Sequence, residues 1–214
     1  MRTAAAIAGT TAWYLRSGRR RQLTWGASTA EAAKPLAGDD LIAAADLTAT
    51  RAITVRVPPD RVWPWIAQLG QGRGGFYSYD RAENLAGCDI HSADAILPEH
   101  QHLQVGAQVR LTPGVGLAVA RLHDGRSFVL RGAVPIGTAA PPYDFTWAFV
   151  LEDRRDGAAR LLVRERYAYA RWWARVLVEP TAVVSFAMSQ KMLRGIKARA
   201  EGAGPRPAGP DRGR

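Results

Sequence analysis

Glu165 makes the strongest chemical demand of any residue in this chain. In the run 159–169, Leu161, Val163, Glu165, Tyr167 and Tyr169 fall on one face of a strand, and Arg160, Arg164 and Arg166 on the other. A carboxylate on the apolar face must find a cation or keep its proton, because burying an isolated charge costs several kcal/mol. Such a group can fix the polar end of a ligand or move a proton. It can equally form a salt bridge to an inward arginine such as Arg110 or Arg131, or stand at an edge in water.

The second cluster is Asp89, His91 and Asp94, followed by Glu99, His100 and His102. His-x-His in a strand would place both imidazoles on one face, with His91 or Asp94 as a third zinc ligand. Pro98 and its polar neighbours instead place His100 and His102 in a loop, so these histidines read as solvated or hydrogen-bonded and no metal is expected. Flanked by carboxylates, His91 is a candidate for proton transfer; Asp94 and Ser92 read more simply as loop ties. Nothing in the sequence around Cys88 would lower its thiol pKa. Gly70, Gly72 and Gly75 satisfy G-x-G-x-x-G, with Asp94 about twenty residues on. That loop leaves a helix rather than a strand, so no nucleotide and no cofactor is expected. Its glycines allow close backbone approach, bringing Arg73, Phe76 and Tyr77 to one end of the sheet.

The elements that position these residues follow from periodicity. Thr48–Val57 alternates as a half-buried strand with Ile53, Val55 and Val57 on one face. Pro58-Pro59 stops it, Asp60 can cap, and Val62, Trp65, Ile66 and Leu69 then repeat at helical spacing. A second short helix spans about Ser78 to Ala86, capped by Ser78 or Asp80. Strand signals recur over 104–111, 117–122 and 126–131, the last two flanking the hairpin signal His123-Asp124-Gly125. A loop over 132–142 leads to the clean alternation of Tyr143, Phe145, Trp147, Phe149 and Leu151, and Asp156-Gly157 turns the chain into 159–169. Pro180 to Ala200 reads as a helix with Val183, Phe186, Leu193 and Ile196 on its inner side. Trp172-Trp173 and Val176-Leu177-Val178 before it form an apolar patch available to a membrane or partner.

The chain has 214 residues, a net charge of +10 and one cysteine, which excludes an internal disulfide framework. Half of that charge lies in residues 1–34, and the 166 residues from 35 to 200 carry an excess of only four. No zinc-finger spacing or RNA-binding aromatic motif accompanies it, so nucleic acid is not expected. The apolar stretch Ala4–Leu15 is too short to span a bilayer and precedes its arginines, unlike a signal peptide. Residues 1–21 read either as an interfacial anchor at the inner face of the membrane or as a solvated leader in the cytoplasm. Residues 1–47 are thus a basic leader and Ala-rich connector, 48–200 one domain, and 201–214 a disordered tail.

That element order over about residues 48–200 resembles the START-like helix-grip fold of the SRPBCC superfamily, which includes polyketide cyclases, Bet v 1-like proteins and lipid-transfer domains. The segments Ala49–Val55, Pro59–Ile66, Gly70–Asp80, Asp89–Asp94 and Lys191–Lys197 are similar to those of an actinobacterial group of unassigned function. The resemblance implies an α+β fold in which a curved antiparallel sheet wraps a long C-terminal helix, with two short helices after the first strand. It also implies a cavity for a hydrophobic small molecule such as a lipid, a polyketide-like aromatic or an isoprenoid. Phe145, Trp147, Phe149, Tyr167, Phe186 and Met192 would line it, Phe76 would stand at its mouth, and Glu165, Arg73 or Tyr77 would orient the ligand. The alternatives are a cyclase or dehydratase in which Glu165 or His91 moves a proton, and a non-catalytic module docked through residues 1–21.

Overall fold

A computed structural model describes residues 18–133 and 140–202. The anchor-or-leader stretch up to residue 17, most of the 132–142 loop and the tail from 203 lie outside the described residues. Strands β1 (Leu47–Val55), β2 (Gln108–Thr112), β3 (Val115–His123), β4 (Ser127–Gly132), β5 (Tyr143–Asp153) and β6 (Ala159–Tyr169) form one antiparallel sheet in the order β1-β6-β5-β4-β3-β2. The first strand therefore pairs with the last. Both hairpin signals form turns, with Gly125 and Gly157 at positive φ as the tight connections require.

Helices α1 (Arg19–Leu23) and α2 (Thr29–Ala33) precede the sheet, α3 (Pro59–Ala67) and α4 (Asp80–Leu85) follow β1, and α5 (Ala174–Gly202) closes the chain. The expected caps are replaced by other devices. Pro58 takes the N-cap of α3 and Pro59 enters its first turn, where its missing N–H removes nothing from the helix. At α4 neither Ser78 nor Asp80 caps; Asp80 instead accepts hydrogen bonds from the Ser92 backbone and hydroxyl at 2.8 and 2.7 Å.

The core lies between the concave face of the sheet and two helices. Val62, Trp65 and Ile66 of α3 and Leu193, Ile196 and Ala200 of α5 pack against Leu161, Val163, Phe149, Leu151, Phe128 and Leu117. Helix α5 begins at Ala174, so Pro180 lies inside it. The Thr181 hydroxyl donates to the Leu177 carbonyl at 2.9 Å beside that proline, in the stretch where the helical ladder lacks an N–H. The buried stripe of α5 is Ala174, Val178, Ala182, Ser189, Met192, Leu193, Ile196 and Ala200. Val183, expected to face inward, is half exposed. Its phase was set by apolar type, whereas small residues carry the inward face where the helix approaches polar groups.

The other face of the sheet is covered between β1 and β5 by residues 26–46. Ser28 forms a capping box with Glu31 at the start of α2, and a 3-10 turn, Asp39–Ile42, follows. The β6 arginines expected on the outer face are on it, but they hold this segment rather than meeting water. Arg160 pairs with Glu31, Arg166 donates to the Ile42 and Ala43 carbonyls, and buried Arg164 reaches Asp39, Thr50 and the carbonyls of Glu31, Ala32 and Lys34. No helix among the described residues is long and apolar enough to cross a membrane.

Candidate functional site

Between the concave sheet face, α4 and the middle of α5 lies a cavity of about 300 Å³. Its walls are mostly apolar: Phe76, Ile90, Leu111, Phe145, Trp147 and Met192 are among them. Phe145 stands 4.6 Å from Tyr167 and Trp147 6.0 Å from Phe76, ring centre to ring centre, so adjoining parts of the wall are aromatic. A six-stranded antiparallel sheet curves around the long C-terminal helix with the cavity between them, and α4, the second of the two short helices after β1, borders it through Glu83. This is the helix-grip fold.

No protein-family model matches the chain, and no curated protein is similar to it. Among solved structures it is similar to protein MLL2253 of Mesorhizobium loti (10% identity, 74% of this chain and 99% of that one, TM-score 0.46). It is also similar to CalU16 of Micromonospora echinospora (15% identity, 72% and 84%, TM-score 0.36) and to Ara h 8.0201 (12% identity, 72% and 97%, TM-score 0.40). The assignment of a helix-grip fold rests on the strand order and the gripped helix.

Six of the expected ligand-binding residues line the cavity: Phe76, Phe145, Trp147, Glu165, Tyr167 and Met192. Glu165 is buried, and its counter-ion is Arg51 of β1 rather than Arg110 or Arg131. The Arg51 guanidinium donates to Glu165 Oε1 at 2.6 Å and to Ser189 Oγ at 3.0 Å. Ser185 and Ser189 of α5 donate to the same carboxylate oxygen at 2.6 and 3.2 Å. In the β1–β6 register Ala49 faces Glu165 and Arg51 faces Val163, so the pair is a diagonal cross-strand contact. The Tyr167 hydroxyl lies 3.5 Å from Glu165 Oε2, and burial together with that carboxylate pushes its pKa well above the usual range. Hence Tyr167 is a fixed phenol at this wall. Of the suggested partners, Arg131 pairs instead with Asp144, and Arg110 is exposed.

Four expected lining residues are elsewhere. Arg73 donates to the carbonyls of Ala67 and His100 at 2.9 and 2.8 Å and staples the glycine loop to the segment after it. Tyr77 is buried at φ 56°, a conformation held by hydrogen bonds with Gln68 and the Trp65 carbonyl and by Arg199 4.6 Å from its ring centre. Burial raises its hydroxyl to about 12. Phe149 stacks on Phe128 at 4.8 Å in the core, and Phe186 lies against the Arg51 guanidinium. The glycine loop accounts for the first two. Gly70 and Gly75 bond to each other, and a Cβ on Gly75 would stand 2.8 Å from the His91 carbonyl oxygen, so the loop is pressed flat against the 88–95 segment.

His91 is exposed and 3.1 Å from Asp89, and Asp94 pairs with Arg199 at 2.7 Å; neither lines the cavity. Among the described residues no three His, Cys, Asp or Glu side chains come together as a metal site requires. Cys88 does line the cavity, but burial raises its thiol pKa, leaving it protonated.

Sequence reasoning passed over Ser185, Ser189, Arg51 and Glu83. The first two are small polar residues in a helix, where neither periodicity nor charge marks them. Glu83 lies on α4 with its side chain buried at the cavity wall. Burial raises its pKa, opposed by hydrogen bonding from the Ser78 side chain and the Tyr79 backbone and assisted by the neighbouring charge of Asp80. The sign of the linkage follows: the folded state binds the Glu83 proton more tightly than the unfolded chain, so this residue lowers stability as pH rises above the ordinary glutamate range. Glu83→Gln, which carries no proton to lose, is expected to gain stability relative to the parent as pH rises above about 4.5. Urea midpoints at several pH values check this, and a constant difference would contradict it.

Proposed function

We propose that the protein binds a hydrophobic small molecule reversibly in this cavity. The observation that carries the reading is an apolar cavity of about 300 Å³ with most polar groups of its wall already committed to one another. Displacing water from such walls contributes about 25 cal/mol per Å² of apolar surface covered. The volume falls at the lower end of the range of about 300–1,000 Å³ for small-molecule pockets, which suits a ligand of two or three fused rings or a short isoprenoid. In this reading Glu165 is a polar landmark for the ligand rather than a free base, because Arg51, Ser185 and Ser189 converge on Oε1. A proton-transferring cyclase or dehydratase would have to use Glu165 or Glu83, since His91 stands outside the cavity.

The test is saturable binding of N-phenyl-1-naphthylamine, a neutral apolar dye whose fluorescence rises on leaving water. Met188 lines the cavity, and Met188→Trp fills it. The variant is expected to keep the parent's circular dichroism and to weaken dye binding by at least about tenfold, the equivalent of about 1.4 kcal/mol. Unchanged dye affinity in a folded Met188→Trp protein would place the dye elsewhere and remove the proposal. Native mass spectrometry of protein purified from its own host identifies the molecule it carries.

A further inference from the structure

The buried stripe of α5 has a counterpart on the opposite side of the same helix. Trp173, Val176, Leu177, Pro180, Val183 and Val184 recur at i, i+3, i+4, i+7, i+10 and i+11, so they share one face, and all six are exposed. Trp172, just before the helix, is 88% exposed, Val176 73% and Val184 60%. Single exposed apolar residues are ordinary on a protein surface, but a contiguous strip marks an interaction site. Thr181 and Val184 are both exposed and line the cavity, so the cavity wall reaches the surface along this strip.

Cations frame the strip at both ends. Arg171 and Arg175 are exposed at its start, and Lys191 and Arg194, which continue the same helical face, are exposed beyond its far end. Glu179 is the sole carboxylate between residues 171 and 200, and Arg19 of α1 donates to it at 2.8 Å, which brings exposed Arg20 and Arg21 alongside. A protein partner asks for hydrogen-bonding groups within the contact, about one per 100–200 Å². The polar side chains nearest the strip are already engaged, Glu179 by Arg19 and the Thr181 hydroxyl by the Leu177 carbonyl. A bilayer surface asks for none: aliphatic side chains enter the acyl boundary, tryptophan sits at headgroup level, and arginine and lysine meet anionic headgroups.

We propose that the outer face of the first half of α5 docks the protein on anionic lipid bilayers, with the cavity edge at Thr181 and Val184 turned toward the lipid. Apolar insertion and headgroup attraction are each weak alone, and together they give reversible peripheral binding. An apolar ligand dissolved in the bilayer then reaches the cavity past Val184 without crossing water. That route rests on the cavity-binding reading above, whereas the docking does not.

Flotation of the full-length protein with vesicles tests it, using phosphatidylcholine alone and an equal mixture with phosphatidylglycerol. The mixed vesicles are expected to bind at least about tenfold more tightly than the neutral ones, and added salt to remove most of that difference. Val176→Glu with Val183→Glu changes two exposed positions to a residue of higher helix propensity. This variant is expected to keep the parent's circular dichroism and urea midpoint and to bind mixed vesicles at least about tenfold more weakly. Lipids brominated on the acyl chain are expected to quench the parent's tryptophan fluorescence, and Trp172→Phe with Trp173→Phe to lose most of that quenching. Four results would overturn the docking: no flotation of the parent; equal binding to both vesicle types; parental binding by the Val176→Glu, Val183→Glu variant, which would move the contact to residues 1–17; or a dimer, dissociated by that variant, that does not float. Binding of N-phenyl-1-naphthylamine without vesicles reads the cavity separately, so either reading can fail while the other stands. The comparison of the two vesicle types in the parent needs no variant to fold.

Discussion

Arg51→Met is expected to be among the most destabilising single substitutions in the domain. It removes the counter-ion of a carboxylate that is itself buried, leaving Glu165 with only Ser185, Ser189 and Tyr167 around it. Breaking a buried pair from one side costs about 3–5 kcal/mol, because the surviving charge keeps its desolvation penalty and loses its compensation. Replacing both partners has a different outcome: Arg51→Met with Glu165→Leu substitutes apolar volume for both charges and is expected to recover most of the loss. Urea unfolding of the two single variants and the double gives the coupling between them. A single-variant loss below about 1 kcal/mol would mean that water reaches Glu165 and that the pair contributes as little as a surface one.

The second large effect is expected at the opposite face of the sheet. Arg164 is buried yet belongs to the outer row of β6, and its guanidinium binds Asp39 at 2.5 Å, Thr50 at 2.8 Å and three backbone carbonyls at 2.9 to 3.0 Å. Arg164→Ala leaves those acceptors, one of them charged, facing a void, and about 3–5 kcal/mol of stability should be lost. Arg164→Lys should recover little of it, because one ammonium group cannot reproduce the spread of a planar fork. Hydrogen exchange of the amides over 28–42 separates this outcome from general destabilisation. Faster exchange there, with β3 and β4 unchanged at equal global stability, is the expected result. Uniform change would show that the arginine does not hold the segment.

These two arginines also mark where sequence reasoning succeeded and where it stopped. Strand periodicity is strict, so the alternation in 143–151 and 159–169 put Glu165 inward and Arg164 outward, and both faces are as expected. The same alternation in β1 places Arg51 with Ile53 and Val55, yet the expected partners of Glu165 were Arg110 and Arg131. The pairing of β1 with β6 is non-local, and no pattern within either strand announces it. The periodicity of β6 sets its arginines on the outer face, and nothing in it could show that 26–46 would lie over them. In α5 the phase was taken from Val183 and Phe186, but the sequence of a helix facing a cavity is written in Ala182, Ser185 and Ser189, small residues that carry no hydrophobic signal. The glycine loop was correctly read as a place of close backbone approach, whereas its side-chain directions, Arg73 and Tyr77 away from the cavity, depend on contacts with the 88–101 segment. Glu83 was passed over because nothing in the periodicity of so short a helix marks it as buried.

The pairing of the first strand with the last bears on how the chain is made. Arg51 and Glu165 are 114 residues apart, and among the described residues β6 is the sole strand hydrogen-bonded to β1. On the ribosome β1 therefore emerges long before the strand that completes it, and residues 26–46 wait equally for the arginines that fasten them. The hairpins of β3 to β6 can form as they appear, while an apolar strand and its attached segment stay open until β6 has been made. Contacts of such long sequence separation make folding slow and leave exposed edges for other chains to find. The two buried arginines thus act late: they close the structure rather than start it.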